Sequence, residues 1–371
     1  MISGEKSKIV AVHLLNDFSG SPLIFMQALK GLQMAGHEII VHTSKSREGF
    51  LGRLNAPFVY FPYHFFSNVL LRLFAFTASQ LFLFFQLLRY RKEDVVIYVN
   101  TLLPFGAALA GACMGKKVVY HVHESYIRPA LLKNFLRYIA AKTADTVLYV
   151  SHYLMNEERI KGVKGQVIYN ALPDEFTEQA GKFKYHAVAG NSFNVLMICS
   201  LKNYKGVPEY LQLAKRHPGI HFELVLNASS KNIEDYFRKL EVPDNLHLFP
   251  VQKDLDPFYR RAGLVMNLTN PELCIETFGM TILEAMCYGI PVIAPPLGGP
   301  AELVESERNG FSIDVRDEAT LDFRLEYLAS NPEFLKQLST GALETAKKFR
   351  SENFRSAVVK SVQGEDESVR F

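Results

Sequence analysis

Short, largely apolar runs recur along this 371-residue chain, and the series starts twice. The first series lies at 9–15, 39–41, 95–99, 118–122, 146–150 and 167–169. Runs this short, without polar alternation, suit strands buried on both faces of a parallel sheet. Helical patterns lie between several of them. One follows the turn at 16–22, runs through Leu32 and stops at Gly36-His37-Glu38; another covers 131–141. Residues 173–192 break the rhythm with Pro173-Asp174-Glu175 and Ala189-Gly190-Asn191-Ser192, residue types that favour turns and linkers. A second series follows at 193–199, 222–226, 246–249, 264–268 and 291–294. Strands alternating with helices predict parallel sheets with right-handed crossovers.

The chain is too long for one ordinary core. The expected fold class is α/β, with two doubly wound, Rossmann-like parallel-sheet domains. The expected boundaries are 1–175 for the first domain, 176–192 for a linker, 193–350 for the second domain, and 351–371 for a terminal helix and a polar, frayed tail. Ligands of such sheets bind beyond the carboxyl ends of the strands, so a cleft between the domains is the expected site. Hydrophobic residues make up 48 % and charged residues 21 %, a globular composition, and a net charge of +3 gives no footing for a nucleic-acid partner. Cys113, Cys199, Cys274 and Cys287 form no CxxC pair and read as reduced core thiols of a cytosolic protein. The first six residues lack an apolar signal core, so no secretory signal is expected.

The segment 65–92 is very apolar, with Val69-Leu70-Leu71-Arg72-Leu73-Phe74-Ala75-Phe76 and Leu81-Phe82-Leu83-Phe84-Phe85 inside it and Arg72, Arg89, Arg91 and Lys92 punctuating or flanking it. Arg72, Thr77, Ser79, Gln80 and Gln86 dilute it below a clean membrane span. Two readings stand: one or two helices with basic edges lying on an anionic membrane surface, or a helix buried against the sheet.

The densest chemistry lies at 276–300. Glu276 precedes Phe278-Gly279, Glu284 follows eight positions after Glu276, and Gly289-Ile290-Pro291-Val292 and Leu297-Gly298-Gly299-Pro300 come next. Gly279 permits a tight turn. A helix starting at Met280 or Thr281 leaves its first N–H groups free for an anion such as phosphate. Glu284, placed in the first turn, is expected ionised by the helix dipole and able to accept bonds from sugar or ribose hydroxyls. Thr281 with Glu284 also fits a capping box. No residue cluster has metal-ligand spacing, so no metal and no other cofactor is expected.

Together these motifs resemble the family 4 (group 1) glycosyltransferases, retaining enzymes of the GT-B fold that use nucleotide sugars. The resemblance spans nearly the whole chain and is most specific over 264–315. Weaker matches lie at Gly36-His37-Glu38, at His123, at Tyr169-Asn170-Ala171 and at Tyr204-Lys205-Gly206. It implies that Glu284 holds the ribose, Glu276 orients the transferred sugar, and the backbone from Phe278 through Gly279 and Met280 to Thr281 cradles the diphosphate. Lys205 would neutralise the leaving diphosphate and His123 would touch the donor sugar. The Ser19-Gly20-Ser21 loop would line the acceptor side. The family carries an arginine where Ser200 stands here, and Lys202 is the candidate replacement, as a point charge rather than a bidentate fork.

The expected activity is metal-independent transfer of a sugar, with retention, from a nucleotide diphosphate sugar to a saccharide or lipid-linked saccharide, in surface-polysaccharide synthesis. The expected location is the cytosol, including the inner membrane face if 65–92 lies on it. The alternatives are a nucleotide-sugar epimerase on the same fold and a non-catalytic sugar- or nucleotide-binding subunit, the latter motivated by Ser200. A dinucleotide oxidoreductase is disfavoured, because Gly20 stands in the first strand–helix turn without a GxGxxG.

Overall fold

The computed structural model describes residues 6–45, 48–187, 190 and 193–365. Met1 to Glu5, the linker residues Ala189, Asn191 and Ser192, and Asp366 and Glu367 of the expected tail lie outside these. The chain divides into two compact units, Met1–Ala171 with Ser351–Phe371, and Leu172–Arg350.

Unit 1 is built on a seven-stranded sheet, β1 (Lys8–Val12), β2 (Glu38–Ser44), β3 (Phe58–Phe61), β4 (Val95–Asn100), β5 (Val118–Val122), β6 (Thr146–Tyr149) and β7 (Lys164–Val167). The spatial order is β3-β2-β1-β4-β5-β6-β7, and every pair is parallel. The helices are α1 (Gly20–Met34), α2 (Val69–Leu87), α3 (Phe105–Cys113), α4 (Ala130–Thr143) and α5 (His152–Glu158). Strands β4, β5 and β6 are buried along their whole length, as their largely apolar runs require.

Unit 2 repeats the plan with β8 (Asn194–Cys199), β9 (His221–Leu226), β10 (Leu246–Phe249), β11 (Leu264–Met266), β12 (Val292–Ala294) and β13 (Gly310–Ser312). They pair in parallel in the order β10-β9-β8-β11-β12-β13. Its helices are α6 (Asp174–Gly181), α7 (Val207–Arg216), α8 (Ser230–Phe237), α9 (Asp256–Arg261), α10 (Met280–Cys287), α11 (Pro300–Leu303), α12 (Glu318–Ser330) and α13 (Pro332–Ala346). The chain then returns to unit 1 as α14 (Ser351–Gln363), which packs along α1.

Several expectations change. The segment taken as a linker begins in a helix: α6 belongs to unit 2, where the Phe176 ring packs edge-on against Tyr259 and Tyr288 at 6.2 and 5.7 Å. Pro173 and the acids Asp174 and Glu175, read as a turn, are helix-start residues. The run expected at 167–169 is a strand only up to Val167, because β7 is a half-exposed edge strand that starts earlier, at Lys164. The edge strands β3 and β13 are too short to stand out in sequence. The turn at 16–22 ends sooner than expected. Ser19 is the N-cap of α1, so Gly20 and Ser21 are its first helical residues rather than a loop. Pro22 fits there because first-turn N–H groups have no intrahelical partner. Cys113 is exposed, not in the core, because it ends α3; all four thiols are free.

The terminal segment is no appendage. Phe354, Val358 and Val362 are buried, the Phe354 ring lies 6.4 Å from that of His121, and a Cβ on Gly31 of α1 would meet Arg355 Cβ at 2.8 Å. Gly364 (φ 87°) closes the helix, its N–H donating to Ser361 O at 3.2 Å and that of Glu365 to Lys360 O at 2.9 Å. This is a Schellman arrangement, which ties Gly364 and Glu365 to the helix.

The 65–92 segment forms one long helix, α2, extended by a 3₁₀ turn, Leu88–Lys92. Asn68 caps it, its side chain accepting from the Leu70 and Leu71 N–H groups. Val69–Lys92 is long and apolar enough to cross a membrane, yet α2 is a crossover between two strands of one sheet. Its stripe Phe76, Gln80, Leu83 and Leu87 is buried, whereas Leu70 and Phe74 are 77 and 75 % exposed. The buried-helix reading therefore holds for one face only. Phe354→Ala is expected to cost about 3 kcal/mol, measured as a lower urea midpoint for the transition that reports unit 1.

Candidate functional site

The strand order reverses once in each sheet, between β1 and β4 and between β8 and β11. Loops leaving the carboxyl ends of such strands diverge and open a crevice. The residues singled out by sequence gather at these two points.

In unit 2 the chain leaves β8 through Ser200 and the exposed Lys202, then makes a 3₁₀ turn, Asn203–Lys205. Gly206 follows with φ 81°, and a Cβ there would meet the Leu268 carbonyl oxygen at 2.3 Å. This glycine therefore lets the loop after β8 lie against the loop after β11, and the Asn270 N–H donates to Tyr204 O at 2.8 Å. The result is an ion pair between Lys205 and Glu276, with side chains 19 and 24 % exposed. Burial pulls the Lys205 pKa down, but the charge of Glu276 and its hydrogen bond outweigh that and leave it above its ordinary value. Lys205 is thus a fixed ammonium, not a solvated turn lysine. An ammonium has three donors, and Glu276 takes one. Lys202 has no carboxylate partner among the described residues.

Gly279 (φ 106°) is the N-cap of α10 and carries no capping side chain. The N–H groups of Gly279, Met280 and Thr281 donate to no protein acceptor among the described residues, which leaves a helix start suited to an anion. Phe278 is buried beneath it, its ring edge-on to Phe349 at 5.9 Å. Thr281 is the second residue of the helix and makes no capping bond, so the capping-box reading fails. Glu284 lies past the first turn, and the expectation that the dipole keeps it ionised is corrected. Burial pushes its carboxyl up to about 7, with a hydrogen bond from Tyr259 opposing. The Tyr259 hydroxyl donates to Glu284 Oε2 at 2.6 Å. Tyr259 stacks on Tyr288 at 5.1 Å, and the Tyr288 hydroxyl donates to Asp256 at 2.7 Å.

Gly298 and Gly299 do more than turn the chain. A Cβ on Gly298 (φ 82°) would meet the Glu276 carbonyl oxygen at 2.2 Å, and one on Gly299 would meet Phe278 Cα at 2.3 Å. The Gly299 N–H donates to Glu276 O at 2.9 Å. Glu302 sits in the first turn of α11, a helix-start acid.

In unit 1 a polar chain crosses the reversal point. Asn100, the last residue of β4, donates from Nδ2 to His13 Nδ1 at 3.0 Å and to the Ser21 carbonyl at 3.3 Å. A carbonyl only accepts, so this fixes the amide orientation. Asn100 Oδ1 then accepts from His123 Nε2 at 2.9 Å, which places the His123 proton on Nε2. His121 lies behind, its ring 4.4 Å from His123 and its Nδ1 3.0 Å from the Tyr98 hydroxyl, so the two histidines share a face as alternation requires. Burial holds the His13 pKa down at about 4 and that of His121 at about 3. Burial first, then His121 and His13, hold His123 well below its ordinary value. All three imidazoles are neutral at pH 7. Glu124 neither orients the imidazole nor lies exposed: Oε2 accepts from the His123 backbone N–H at 3.2 Å, and burial pushes the carboxyl up to about 7. Ser19 and Gly20 are exposed, and Ser19 donates to Asp17 Oδ1 from its N–H at 2.9 Å and from its hydroxyl at 2.5 Å.

Two residues of this arrangement were not anticipated, Asn100 and Tyr259. Asn100 had a signal, a polar residue ending an otherwise apolar strand. Tyr259 had none, because its partner lies 25 positions away and the contact exists only once α9 packs beside α10. Among the described residues no group of three His, Cys, Asp or Glu side chains could hold a metal ion.

The raised Glu284 pKa has a measurable sign. A carboxyl whose folded pKa exceeds its unfolded value costs stability as pH rises from the unfolded value to the folded one. Glu284→Gln should therefore match the parent below about pH 4.5, gain stability over it as pH rises to about 7, and keep a constant advantage above that. Urea midpoints across pH 4–9 check this.

Comparison with known proteins bears on the whole arrangement. Residues 20–176 match the family described as Glycosyltransferase Family 4, and 179–345 match Glycosyl transferases group 1. An N-acetyl-alpha-D-glucosaminyl L-malate synthase of Bacillus anthracis is 25 % identical, over 91 % of this chain and 92 % of that protein. An uncharacterized glycosyltransferase of Haemophilus influenzae is 23 % identical, over 68 % of this chain and 72 % of its own. Among solved structures, HepE of Anabaena, crystallised with UDP and glucose, superposes with a TM-score of 0.77 at 18 % identity, covering 96 % of this chain and 99 % of its own. Sucrose-phosphate synthase of Thermosynechococcus elongatus gives 0.75 at 16 % identity, covering 97 and 99 %. With two doubly wound sheets and matches that run through both units, the chain belongs to the group 1, family 4 glycosyltransferases and has the GT-B fold.

Proposed function

We propose that this glycosyltransferase takes its sugar from a nucleotide diphosphate sugar held by unit 2 and transfers it with retention of configuration. One observation carries the reading: free N–H groups at the start of α10 lie between two carboxylates, Glu276 paired with Lys205 and Glu284 backed by Tyr259. The diphosphate sits at the helix start, the ribose hydroxyls on Glu284 and the sugar beside Glu276. Cleavage of the sugar–phosphate bond moves negative charge onto the diphosphate. The remaining donors of Lys205 and the helix N–H groups stabilise that charge without reorganising. Lys202 offers a second, exposed cation where Ser200 supplies none. The family resemblance supports retention, and the charge-stabilising layout supports metal independence.

The family resemblance assigns the neutral His123 of unit 1 a contact with the donor sugar, and Ser19, Gly20 and Ser21 a part in acceptor recognition. The acceptor is a saccharide or lipid-linked saccharide, as in surface-polysaccharide synthesis. The apolar outer face of α2 supports a membrane-borne acceptor and a place at the cytosolic side of a membrane. HepE was solved with UDP-glucose, so UDP-sugars come first in a thermal-shift screen, ahead of GDP-, ADP- and dTDP-sugars. Ser200 keeps one other reading open, a donor-binding subunit without turnover. Transfer or donor hydrolysis at a robust rate excludes it.

Lys205→Ala and Glu276→Ala should each lower turnover about 100-fold or more while circular dichroism stays unchanged. Near-normal transfer by both would remove the assignment. Excess EDTA should leave the parent rate unchanged; a loss restored by a divalent cation would show that the diphosphate is stabilised by metal instead.

A further inference from the structure

Helix α2 is as apolar outside as inside. Leu70, Phe74, Leu81 and Phe85 form a stripe opposite its buried side and are 77, 75, 57 and 67 % exposed. Scattered apolar side chains on a surface need no explanation, but a continuous stripe does. Helix α4 carries a second one: Leu131, Phe135 and Tyr138 recur at helical spacing and are 81, 44 and 61 % exposed. Helix α3 packs against both. An edge-to-face series, Phe76 to Phe105 to Phe135, with centroids 5.8 and 5.2 Å apart, ties the three helices together. A Cβ on Gly106 of α3 would meet the Gln80 carbonyl oxygen at 2.1 Å, so α2 is clamped onto α3 backbone to backbone. The two stripes therefore belong to one rigid surface.

Basic side chains flank this surface. Arg72 lies over the Phe65 ring, Lys142 over Tyr138, and Arg89, Arg91 and Lys92 follow α2. The acid that follows this basic run, Glu93, is paired with Lys8 at 2.7 Å, and Glu158 beside α4 is paired with Lys133 and Arg137. Beside α4 a cavity of about 230 Å³ is lined by Asn134, Arg137, Tyr138, Arg159, Ile160 and Lys161. Arg137 is fixed there by Glu158 and donates to the Arg159 carbonyl at 3.0 Å. Arg159 and Lys161 have no carboxylate partner among the described residues. A second copy of this face would bring like charges together, whereas an anionic bilayer offers apolar interior and opposite charge at once.

We propose that α2 and α4 together dock on an anionic lipid bilayer, and that the Arg137–Arg159–Lys161 cavity takes a lipid phosphate. The proposal rests on the surface reading of α2 given above and adds to it a second helix and a headgroup site. Its two parts divide the work. The stripes enter the acyl boundary whatever the headgroup, and the cavity selects negative charge and sets the rotation of unit 1 on the surface.

Cosedimentation of the full chain with vesicles tests it, comparing phosphatidylcholine alone with phosphatidylcholine plus phosphatidylglycerol. The expected result is preferential binding to the anionic vesicles. Arg159→Ala with Lys161→Ala should weaken that binding about tenfold, and Leu131→Ser with Tyr138→Ser should weaken it as strongly as Leu70→Ser with Phe74→Ser. These positions are exposed, and an unchanged circular dichroism spectrum and melting temperature check each variant's fold without reference to the donor site. No binding to anionic vesicles, or indifference to the α4 substitutions, overturns the proposal. So does a dimer in sedimentation velocity that the same substitutions dissociate, which would assign the face to a second copy. Saturable binding of inorganic phosphate that needs Arg159 and Lys161, with vesicle binding unchanged in their absence, overturns the headgroup assignment.

Discussion

The hydrogen bond from the Gly299 N–H to the Glu276 carbonyl, 2.9 Å long, anchors the proposed donor site of unit 2. It holds the loop after β12 against the loop before α10, at a distance where neither Gly298 nor Gly299 has room for a side chain. The contact fixes the backbone of Glu276. It thereby decides where its carboxylate meets Lys205 and where α10 begins. Two glycines and a main-chain bond thus position an anion and the helix terminus just after it, and the anion in turn holds a cation from a separate loop. Rigid placement of this kind is what electrostatic stabilisation needs, because donors already aimed at the developing charge need no reordering when it appears.

The polar chain of unit 1 works on a different footing. Its three histidines are neutral, because burial takes away the solvation an imidazolium would require. The side chain of Asn100 sets the proton position on His123 and at the same time grips the main chain at the start of α1. A group held in this way can orient a hydroxyl but contributes no net charge. The charged chemistry is concentrated in unit 2.

Much of this was legible in the sequence, for physical reasons. Strands buried on both faces must be largely apolar, so β1, β4, β5, β8 and β9 announce themselves. The edge strands do not: β3 is short and half-exposed, and β13 is Gly-Phe-Ser, with one apolar side chain. The α10 start was readable because Gly279, a left-handed turn and two flanking acids are local facts. The state of Glu284 was not, since its surroundings come from α9, and a dipole argument drawn from position along one helix misses the desolvation imposed by another. Lys205 was nameable only through resemblance; its ion pair joins loops 71 positions apart. The tail misled because α14 looks like an exposed helix until α1 is placed beside it.

That last helix has a consequence for how the molecule is made. Unit 2 is one continuous stretch of chain, whereas unit 1 needs residues from both ends of the polypeptide. During synthesis the core of unit 1 stays open along α1 until residues 351–363 have left the ribosome. Unit 2 has everything it requires earlier. The segment made first is therefore completed last, and contacts this distant in sequence close slowly. For that interval the newborn chain exposes the apolar side of α1 to the cell, alongside the apolar stripes that the finished protein keeps.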